Sequence, residues 1–392
     1  MILEGLRVLE FTHAVMGPCA GMMLADNGAE VILIEPPKGN ATRYLKGFGT
    51  GYFSFYNRNK KSLAVNLKSE EGIQVVYDLI KTADIIVENF GPGTMDRLGL
   101  SYDKCKSLND SIIYCSLKGF LSGPYEKRHA MDEVVQMMGG LAYMTGRSGD
   151  PLRAGTSAID ITGGMFGYIG ILQALYQREK TGEGAFVKAA LFETCTFMMG
   201  QHMAYQSQVD YPIPPMPERV SAWSIYRIFD TSDDDKIFIG IISDKHWIRF
   251  CEAFEWIDWK EDSRLTTNNQ RIDEREWFIP ELENRLGSFT KKEIVSRCDQ
   301  YSIPFAPITQ PGNLYDDPQL NEGNSLMEIK MRDGTMAKLP KFPLEFNGQR
   351  IEKRNDPPTI GNAAKELLKE IGKSDQQMID WGEQGVIEIG LS

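Results

Sequence analysis

The chain has 392 residues and a mass of 44.2 kDa, enough for two or three domains. Lys and Arg number 43 and Asp and Glu number 54, so the net charge is −11. Proteins that bind duplex nucleic acid normally carry a basic surplus, so this acidic balance disfavours nucleic acid as a partner. An anionic ligand stays compatible with the composition if a few cations are gathered at its site.

The sequence shows no clear targeting signal. Its N-terminus lacks a basic segment followed by an apolar one, and it has no apolar run of about 18 residues. We therefore expect neither a secretory signal nor a membrane span. The six cysteines are scattered without a CxxC pair, which indicates buried, reduced thiols in a cytoplasmic protein. The four histidines show no HExxH spacing, so no protein-held metal is expected.

Strand and helix patterns alternate over the first 120 residues. A helix that begins near Gly17 stops at Asn27-Gly28, and Ser69 is a good N-cap for a helix that starts with two acids. This alternation predicts an α/β fold with a parallel sheet and right-handed crossovers. The predicted strands are Arg7–Phe11, Val31–Ile34, Leu63–Leu67, Asp84–Phe90 and Ser111–Leu117.

The middle of the chain predicts long helices and then a boundary. A helix over Ile161–Gln177 contains four glycines, which would weaken an exposed helix and make sense if another backbone packs very close. A further helix is predicted over 192–208. Four prolines within Tyr211–Pro217 indicate a linker between domains.

After the linker, a smaller α+β domain is predicted over about 218–310. Its strands are Ser224–Phe229 and Lys236–Ile242, and its helices lie around Lys245–Phe254 and Arg271–Leu286. Beyond it, Asp333-Gly334 marks the turn of a second hairpin, and residues 361–392 end in one or two helices.

Two strand–helix junctions could face an anion. The segment from His13 to Gly21 is not a GxGxxG fingerprint, and it is either a plain turn or a set of helix N-terminal amides for a phosphate. At the second junction, Gly91 and Gly93 let the backbone approach a ligand, and Arg97 is either a solvated side chain or a phosphate or purine contact. Arg43 and Lys68 follow other strands, so all these residues fall at the carboxyl edge of one sheet.

A third candidate is Asp160, just before the glycine-rich helix. An Asp at this place is by default an N-cap. A carboxylate there can instead act as a nucleophile toward a thioester if it is well packed and ionised. Sequence spacing alone leaves both interpretations open.

Taken together, these residues match a known family, because several motifs recur in order. The chain resembles the class III coenzyme A transferases, the CaiB/BaiF family that includes carnitine CoA-transferase and formyl-CoA transferase. The match covers the N-terminal half and continues more thinly to Ile303-Pro304 and Gly361. It rests on Phe11-Thr12-His13, Gly17-Pro18, Ala25-Asp26-Asn27-Gly28-Ala29-Glu30-Val31, Asn57-Arg58-Asn59-Lys60-Lys61-Ser62, Val87-Glu88-Asn89-Phe90-Gly91-Pro92-Gly93, Asp96-Arg97-Leu98-Gly99 and Arg178-Glu179-Lys180-Thr181-Gly182-Glu183-Gly184.

The resemblance implies a Rossmann-like large domain built from residues 1–210, a linker at 211–217, the small domain at 218–310, and a return segment at 311–392 that completes the large domain. It also implies a homodimer whose two subunits interlock. The implied activity is acyl-CoA:carboxylate CoA transfer to a small carboxylic acid. Asp160 would carry the aspartyl anhydride and aspartyl-CoA thioester intermediates.

CoA would be a substrate, with no tightly bound cofactor. By the same resemblance, Lys68, Arg97 and Arg128 are the phosphate and adenine partners, and Asp132 matches an acid that assists near the site. The full set of implied CoA contacts is His13, Val15, Met16, Val65, Asn66, Leu67, Lys68, Asn89, Phe90, Gly91, Arg97, Arg128, His129, Ala130 and Met131.

Some positions depart from the family pattern. Pro36 stands where some relatives have Arg, so that contact is absent or supplied by Lys38 or Arg43. The run of glycines that shields the intermediate in formyl-CoA transferases is missing from 219–224, which speaks against oxalate or formate as substrate.

Two other functions compete with CoA transfer. The related α-methylacyl-CoA racemases use a His at the position of Met131, and here the nearest His is His129. A racemase is therefore the alternative within the fold. A CoA-binding regulatory module without catalysis is the alternative outside enzymes.

Overall fold

The structure is a computed structural model, and it describes residues 1–219 and 221–390. Two units are present: the first combines Met1–Glu218 with the chain from Pro318 onward, and the second is Arg219–Asp317. The first unit is therefore interrupted in sequence by the second. The domain limits predicted from the sequence, with a linker at 211–217, stay predictions.

The strands are β1 (Arg7–Phe11), β2 (Glu30–Glu35), β3 (Lys61–Val65), β4 (Ile85–Glu88), β5 (Ile113–Lys118), β6 (Ala185–Ala190), β7 (Ile225–Asp230), β8 (Lys236–Ile241), β9 (Phe305–Pro307), β10 (Leu326–Lys330), β11 (Met336–Pro340), β12 (Glu345–Phe346), β13 (Gln349–Arg350) and β14 (Ile387–Glu388).

The helices are α1 (Met16–Asp26), α2 (Tyr52–Tyr56), α3 (Glu70–Ile80), α4 (Thr94–Arg97), α5 (Tyr102–Leu108), α6 (Asp132–Met138), α7 (Leu141–Thr145), α8 (Ala158–Thr181), α9 (Leu191–Met198), α10 (Gly200–Gln206), α11 (Asp244–Phe254), α12 (Ile257–Glu261), α13 (Asn268–Asp273), α14 (Arg275–Leu286), α15 (Lys291–Gln300), α16 (Pro318–Glu322), α17 (Ala364–Glu370) and α18 (Asp375–Glu383).

The first unit is built on a sheet of order β14-β3-β2-β1-β4-β5-β6. All its neighbouring strands are parallel except β14, which pairs antiparallel with β3 through Ile387 and Val65. The strand order reverses between β1 and β4, and open α/β sheets bind ligands at the carboxyl end of such a reversal. The predicted α/β fold with a mostly parallel sheet is confirmed.

Local sequence signals set several of these elements. The Ser69 hydroxyl accepts a hydrogen bond from Gly72 N at 3.1 Å and caps α3 as predicted. All six cysteines are buried and free, also as predicted. The prediction of a single helix over 192–208 was wrong, because the chain forms α9 and α10 with a break at Met199, just before Gly200.

The second unit is a separate α+β structure, as predicted. Strands β7, β8 and β9 form an antiparallel sheet with helices α11–α15, around a core that includes Trp247, Trp259 and Phe278. One helix predicted over Arg271–Leu286 is in fact two, α13 and α14. Arg271 is completely buried there, and its guanidinium donates to Leu265 O at 2.7 Å and to Asp244 at 2.8 Å.

Glycines let α8 lie against the rest of the first unit. A Cβ on Gly164 would lie 2.7 Å from Met16 O of α1, and one on Gly167 would lie 2.6 Å from Leu117 of β5. The close backbone predicted for this helix is thus α1 of the same chain. Within the described residues, α8 is the helix whose length and composition would allow it to cross a membrane. This is weak evidence for a membrane span, because the core helices of soluble proteins pass the same test.

We predict that Gly164→Ala destabilises the protein. The new methyl meets backbone atoms of α1, which cannot move as a side chain tip can, so we expect a cost of about 1–3 kcal/mol. Gly382→Ala is the matched control, since a Cβ there meets nothing within 4 Å inside α18. Thermal unfolding of both variants tests this; equal melting temperatures for Gly164→Ala and the wild type would contradict it.

Candidate active site

A cleft of about 830 Å³ opens at the carboxyl ends of β1, β4 and β5. His13 follows β1, Asn89 follows β4, and Lys118 ends β5, and all three line the cleft. Asp160 of α8 lines it as well. The topology therefore brings together groups from residue 13 to residue 160 at the point where the strand order reverses.

Asp160 is in the first turn of α8, as its third residue. It is not the N-cap, because Ser157 precedes the helix, so the N-cap interpretation was wrong. No described residue donates a hydrogen bond to the Asp160 carboxylate, which is partly exposed to the cleft. Burial of the group, together with the nearby charge of Asp132, raises the pKa of Asp160 to about 7.

Asp132 caps α8 from outside the helix. One of its carboxylate oxygens accepts hydrogen bonds from Ile159 N at 2.8 Å and from Asp160 N at 3.0 Å. The other oxygen accepts from the amide of Gln136, whose own carbonyl oxygen accepts from Ala154 N at 2.8 Å. These bonds satisfy helix amides that otherwise have no partner, and they fix the backbone that carries Asp160.

His13 is tied to β4 through Asn89. The Asn89 carbonyl oxygen lies 3.0 Å from both His13 N and His13 Nδ1, and the Asn89 amide donates to His13 O at 2.9 Å. The His13 ring meets Phe90 edge-on, with ring centroids 5.9 Å apart. The two junctions predicted to meet a ligand are thus joined side by side, across the β1–β4 reversal.

A second set of bonds shapes the loop after β4. Lys118 donates to Glu88 at 2.7 Å and to Phe90 O at 2.7 Å, and Glu88 accepts from Phe90 N at 3.0 Å. Lys118 is therefore held by protein groups, and it shapes the loop that ends at Gly91.

The structure gathers most of the predicted site residues, but not all of them, in the cleft. Those that line it are Asp160, His13, Met16, Asn89, Phe90, Gly91, Arg128, His129, Ala130 and Met131. Those outside the lining are Val15, Val65, Asn66, Leu67, Lys68 and Arg97. Val15 and Val65 are fully buried, whereas Lys68 and Arg97 are exposed. The CoA contacts as a set stay predictions.

Arg43 does not line this cleft. Its guanidinium makes two bonds to Glu35, at 2.6 and 2.8 Å, and lies 3.8 Å from the Phe53 ring centroid. Lys38 is exposed and is also outside the lining. Among residues 1–219 and 221–390, no group of three His, Cys, Asp or Glu side chains could hold a metal.

Sequence reasoning missed several residues of the cleft. Lys118 could have been found, because it directly follows the predicted strand Ser111–Leu117 at the ligand-binding edge. Ser157 stands in the segment that holds Asp160, but no role was predicted for it. Phe48, Tyr52 and Arg153 stand in no motif, and only the folded chain brings them to the cleft of Asp160.

Comparisons with known proteins agree with this architecture. Residues 3–364 match the model of CoA-transferase family III. The chain belongs to this family, and it is an enzyme of the CoA-transferase class.

Three relatives show the breadth of the similarity. Human succinyl-CoA:glutarate CoA-transferase is 29% identical, over 96% of this chain and 87% of that protein. Formyl-CoA:oxalate CoA-transferase of Streptomyces coelicolor is 30% identical, over 98% of this chain and 99% of that protein. The crystal structure of a CaiB/BaiF family protein from Brucella suis superposes with a TM-score of 0.81 at 27% identity, covering 94% of this chain and 99% of that one.

We predict that Asp132→Asn moves the acid limb of kcat/KM for CoA transfer to lower pH. Asp132 raises the pKa of Asp160, so removing its charge lowers that pKa and leaves Asp160 ionised in more acidic solution. Asn keeps a side-chain oxygen for the helix amides. Asp132→Ala loses that oxygen too, and there we expect kcat to fall by about 10- to 100-fold.

The pH dependence of kcat/KM from pH 5 to 9 measures this. Asp150 is an exposed acid outside the cleft, so Asp150→Asn should leave the acid limb of kcat/KM near pH 7. A limb that stays in place in Asp132→Asn would contradict the electrostatic role of Asp132.

Proposed function

We propose that this enzyme moves CoA from an acyl-CoA donor to a small carboxylic acid through covalent intermediates on Asp160. One observation carries the proposal: the Asp160 carboxylate faces the cleft without a hydrogen-bond donor from the described residues, while its backbone is fixed by Asp132. A nucleophile needs such an unengaged oxygen on a rigid support.

In the first half of the reaction, CoA passes from the acyl-CoA donor to Asp160. An oxygen of Asp160 attacks the thioester carbonyl carbon, the C–S bond breaks, and CoA leaves as a thiolate, which gives an acyl-aspartyl anhydride. The thiolate then attacks the Asp160 carbonyl carbon. The anhydride C–O bond breaks, the donor acid leaves as a carboxylate, and an aspartyl-CoA thioester remains.

The second half reverses these steps on the acceptor. The acceptor carboxylate attacks the aspartyl thioester, CoA thiolate leaves, and a new anhydride forms. The thiolate then attacks the acceptor carbonyl and frees the Asp160 carboxylate. The anhydrides hydrolyse in water, so the bound substrates must exclude it.

CoA extends from this cleft along the carboxyl edge of the sheet. We propose that Arg128 and His129, which line the cleft beside Gly91, meet the part of CoA nearest the thioester. Lys68 and Arg97, exposed after β3 and in α4, would meet the phosphates and adenine outside it. This arrangement supplies local cations within a chain of net charge −11.

A homodimer is part of the proposal. Helices α8, α9 and α10 expose large apolar side chains, among them Ile169 (43% exposed), Phe197 (73%) and Met203 (63%). Phe166 and Phe197 meet edge-on with centroids 5.4 Å apart on this surface. An apolar area of this kind suits a permanent subunit contact. The six free thiols favour a reducing, cytoplasmic location.

We predict that Asp160→Ala abolishes CoA transfer and keeps CoA binding. The substitution removes the only atoms on which the intermediates form, while Asp132 still caps α8. We expect kcat to fall by at least about 10⁴-fold, the scale for loss of a covalent nucleophile. Initial rates, CoA titration calorimetry and thermal unfolding measure the three properties.

Trapping with hydroxylamine tests directly whether Asp160 is the nucleophile. With acyl-CoA present it should convert Asp160 to a hydroxamate, seen as a mass change on the peptide that holds this residue. A label on another residue would refute Asp160 as nucleophile. Exchange of the acyl α-hydrogen with deuterium in the absence of an acceptor would favour the racemase alternative.

We predict a dimer in solution. Sedimentation equilibrium should give twice the 44.2 kDa of one chain, without dissociation on dilution to nanomolar concentration. A monomer at micromolar concentration would contradict this part of the proposal.

A further inference from the structure

Two described cations that line the cleft have no role in the CoA contacts or the covalent steps: Lys118, which is held by Glu88 and Phe90 O, and Arg153. Arg153 lines the cleft together with Asp160, and it precedes α8 by one short loop. It is partly exposed. Its guanidinium places a permanent positive charge in the same cleft as Asp160.

Arg153 is held loosely enough to take a ligand. Its Nε donates to Ala154 O at 3.0 Å and its Nη1 pairs with Glu133. Within residues 1–219 and 221–390, Nη2 donates no hydrogen bond. Glu133 is 58% exposed in this pair, so the ion pair is weak and an incoming carboxylate can compete for the guanidinium.

The surroundings of Arg153 fit a short carbon chain. Its guanidinium carbon lies 5.6 Å from the ring centroid of Phe48, and Phe48 meets Tyr52 edge-on at 5.6 Å. The Tyr52 hydroxyl lies 3.3 Å from the hydroxyl of Ser157, one turn before Asp160. Two aromatic rings thus connect the cation to the start of α8, along the same cleft.

We propose that Arg153 is the specificity-determining residue of this enzyme and binds the far carboxylate of a dicarboxylic acyl group. The near carboxyl group is the one that exchanges on Asp160, and the methylenes between the two lie against Phe48 and Tyr52. A guanidinium offers a planar pair of donors that matches a carboxylate. The inference rests on the proposed function, since it concerns the substrate of that same site.

The experiment compares two donors that differ only at the far end, glutaryl-CoA and valeryl-CoA. Hydroxylamine is present and no acceptor acid, and it traps Asp160 as the hydroxamate, so each active site reacts once and CoA release reports the first half-reaction alone. For Arg153→Gln we expect the second-order rate constant of this single turnover with glutaryl-CoA to fall by about 10- to 100-fold, the value of one charge-assisted bond. With valeryl-CoA it should change by no more than about twofold, because no bond is lost.

Two further variants sharpen the comparison. Arg153→Lys keeps the charge without the paired donors, and it should recover part of the preference for glutaryl-CoA. Arg147→Gln removes an exposed arginine outside the cleft and should leave both rates unchanged. Thermal unfolding checks that all variants are folded.

Each of the other possible outcomes would reject one named part of the proposal. Equal losses with both donors, or no loss with either, would reject Arg153 as the specificity residue while CoA transfer stands. Wild-type protein that uses valeryl-CoA as well as glutaryl-CoA would reject the dicarboxylate preference. Wild-type protein that forms no Asp160 hydroxamate from either donor would reject this inference, whereas the proposed function itself is rejected only if Asp160→Ala keeps CoA transfer.

Discussion

The hydrogen bonds from the start of α8 to Asp132 are the interaction on which the site depends. The first amides of a helix lack partners within it, and Ser157, the residue placed to cap them, bonds toward Tyr52 instead. The Asp132 carboxylate takes over, reaching Ile159 N and Asp160 N from α6. Burial raises the pKa of Asp160, and the same charge that holds the backbone in place raises it further. Asp132 therefore fixes the position of Asp160 and also contributes to its pKa.

That interaction is useful only because α8 approaches the sheet closely. Gly163 and Gly164 leave room for Met16 and its neighbours in α1, and Gly167 and Gly170 leave room for β5 and β6. Larger side chains would push the helix away from the carboxyl ends of the strands. The glycines thus let Asp160 line the same cleft as His13 and Asn89, where the strand order reverses.

Electrostatics explain how an acidic chain can serve an anionic substrate. Lys118 is neutralised by Glu88, and Arg43 by Glu35, so these cations shape loops. Arg128, which is exposed, and Arg153, which is partly exposed, are the guanidinium groups that line the cleft within the described residues. The net charge of −11 therefore says little about the local field at the site.

Much of the fold followed from local patterns. Alternating strands and helices gave the parallel sheet, and Ser69 with its two following acids gave the start of α3. Errors arose where distant contacts override local preference. Arg271 lies close to the break between α13 and α14, and it is buried against Ser224 and Asp244. The residues next to it in sequence gave no signal for a helix break. The short strand β14 has no local signature, and it exists through pairing with β3, more than 300 residues earlier.

The sequence by itself determined the class of fold, the family, and Asp160 as the residue of interest, because these depend on local spacing and ordered motifs. Only the tertiary structure decided that Asp132 caps α8, that Ser157 does not, and that Arg153 and Phe48 face the same cleft. The physical reason is distance along the chain. Asp132 and Asp160 are 28 residues apart, and a hydrogen bond across that separation exists only once the packing of two helices on one sheet has fixed where each begins.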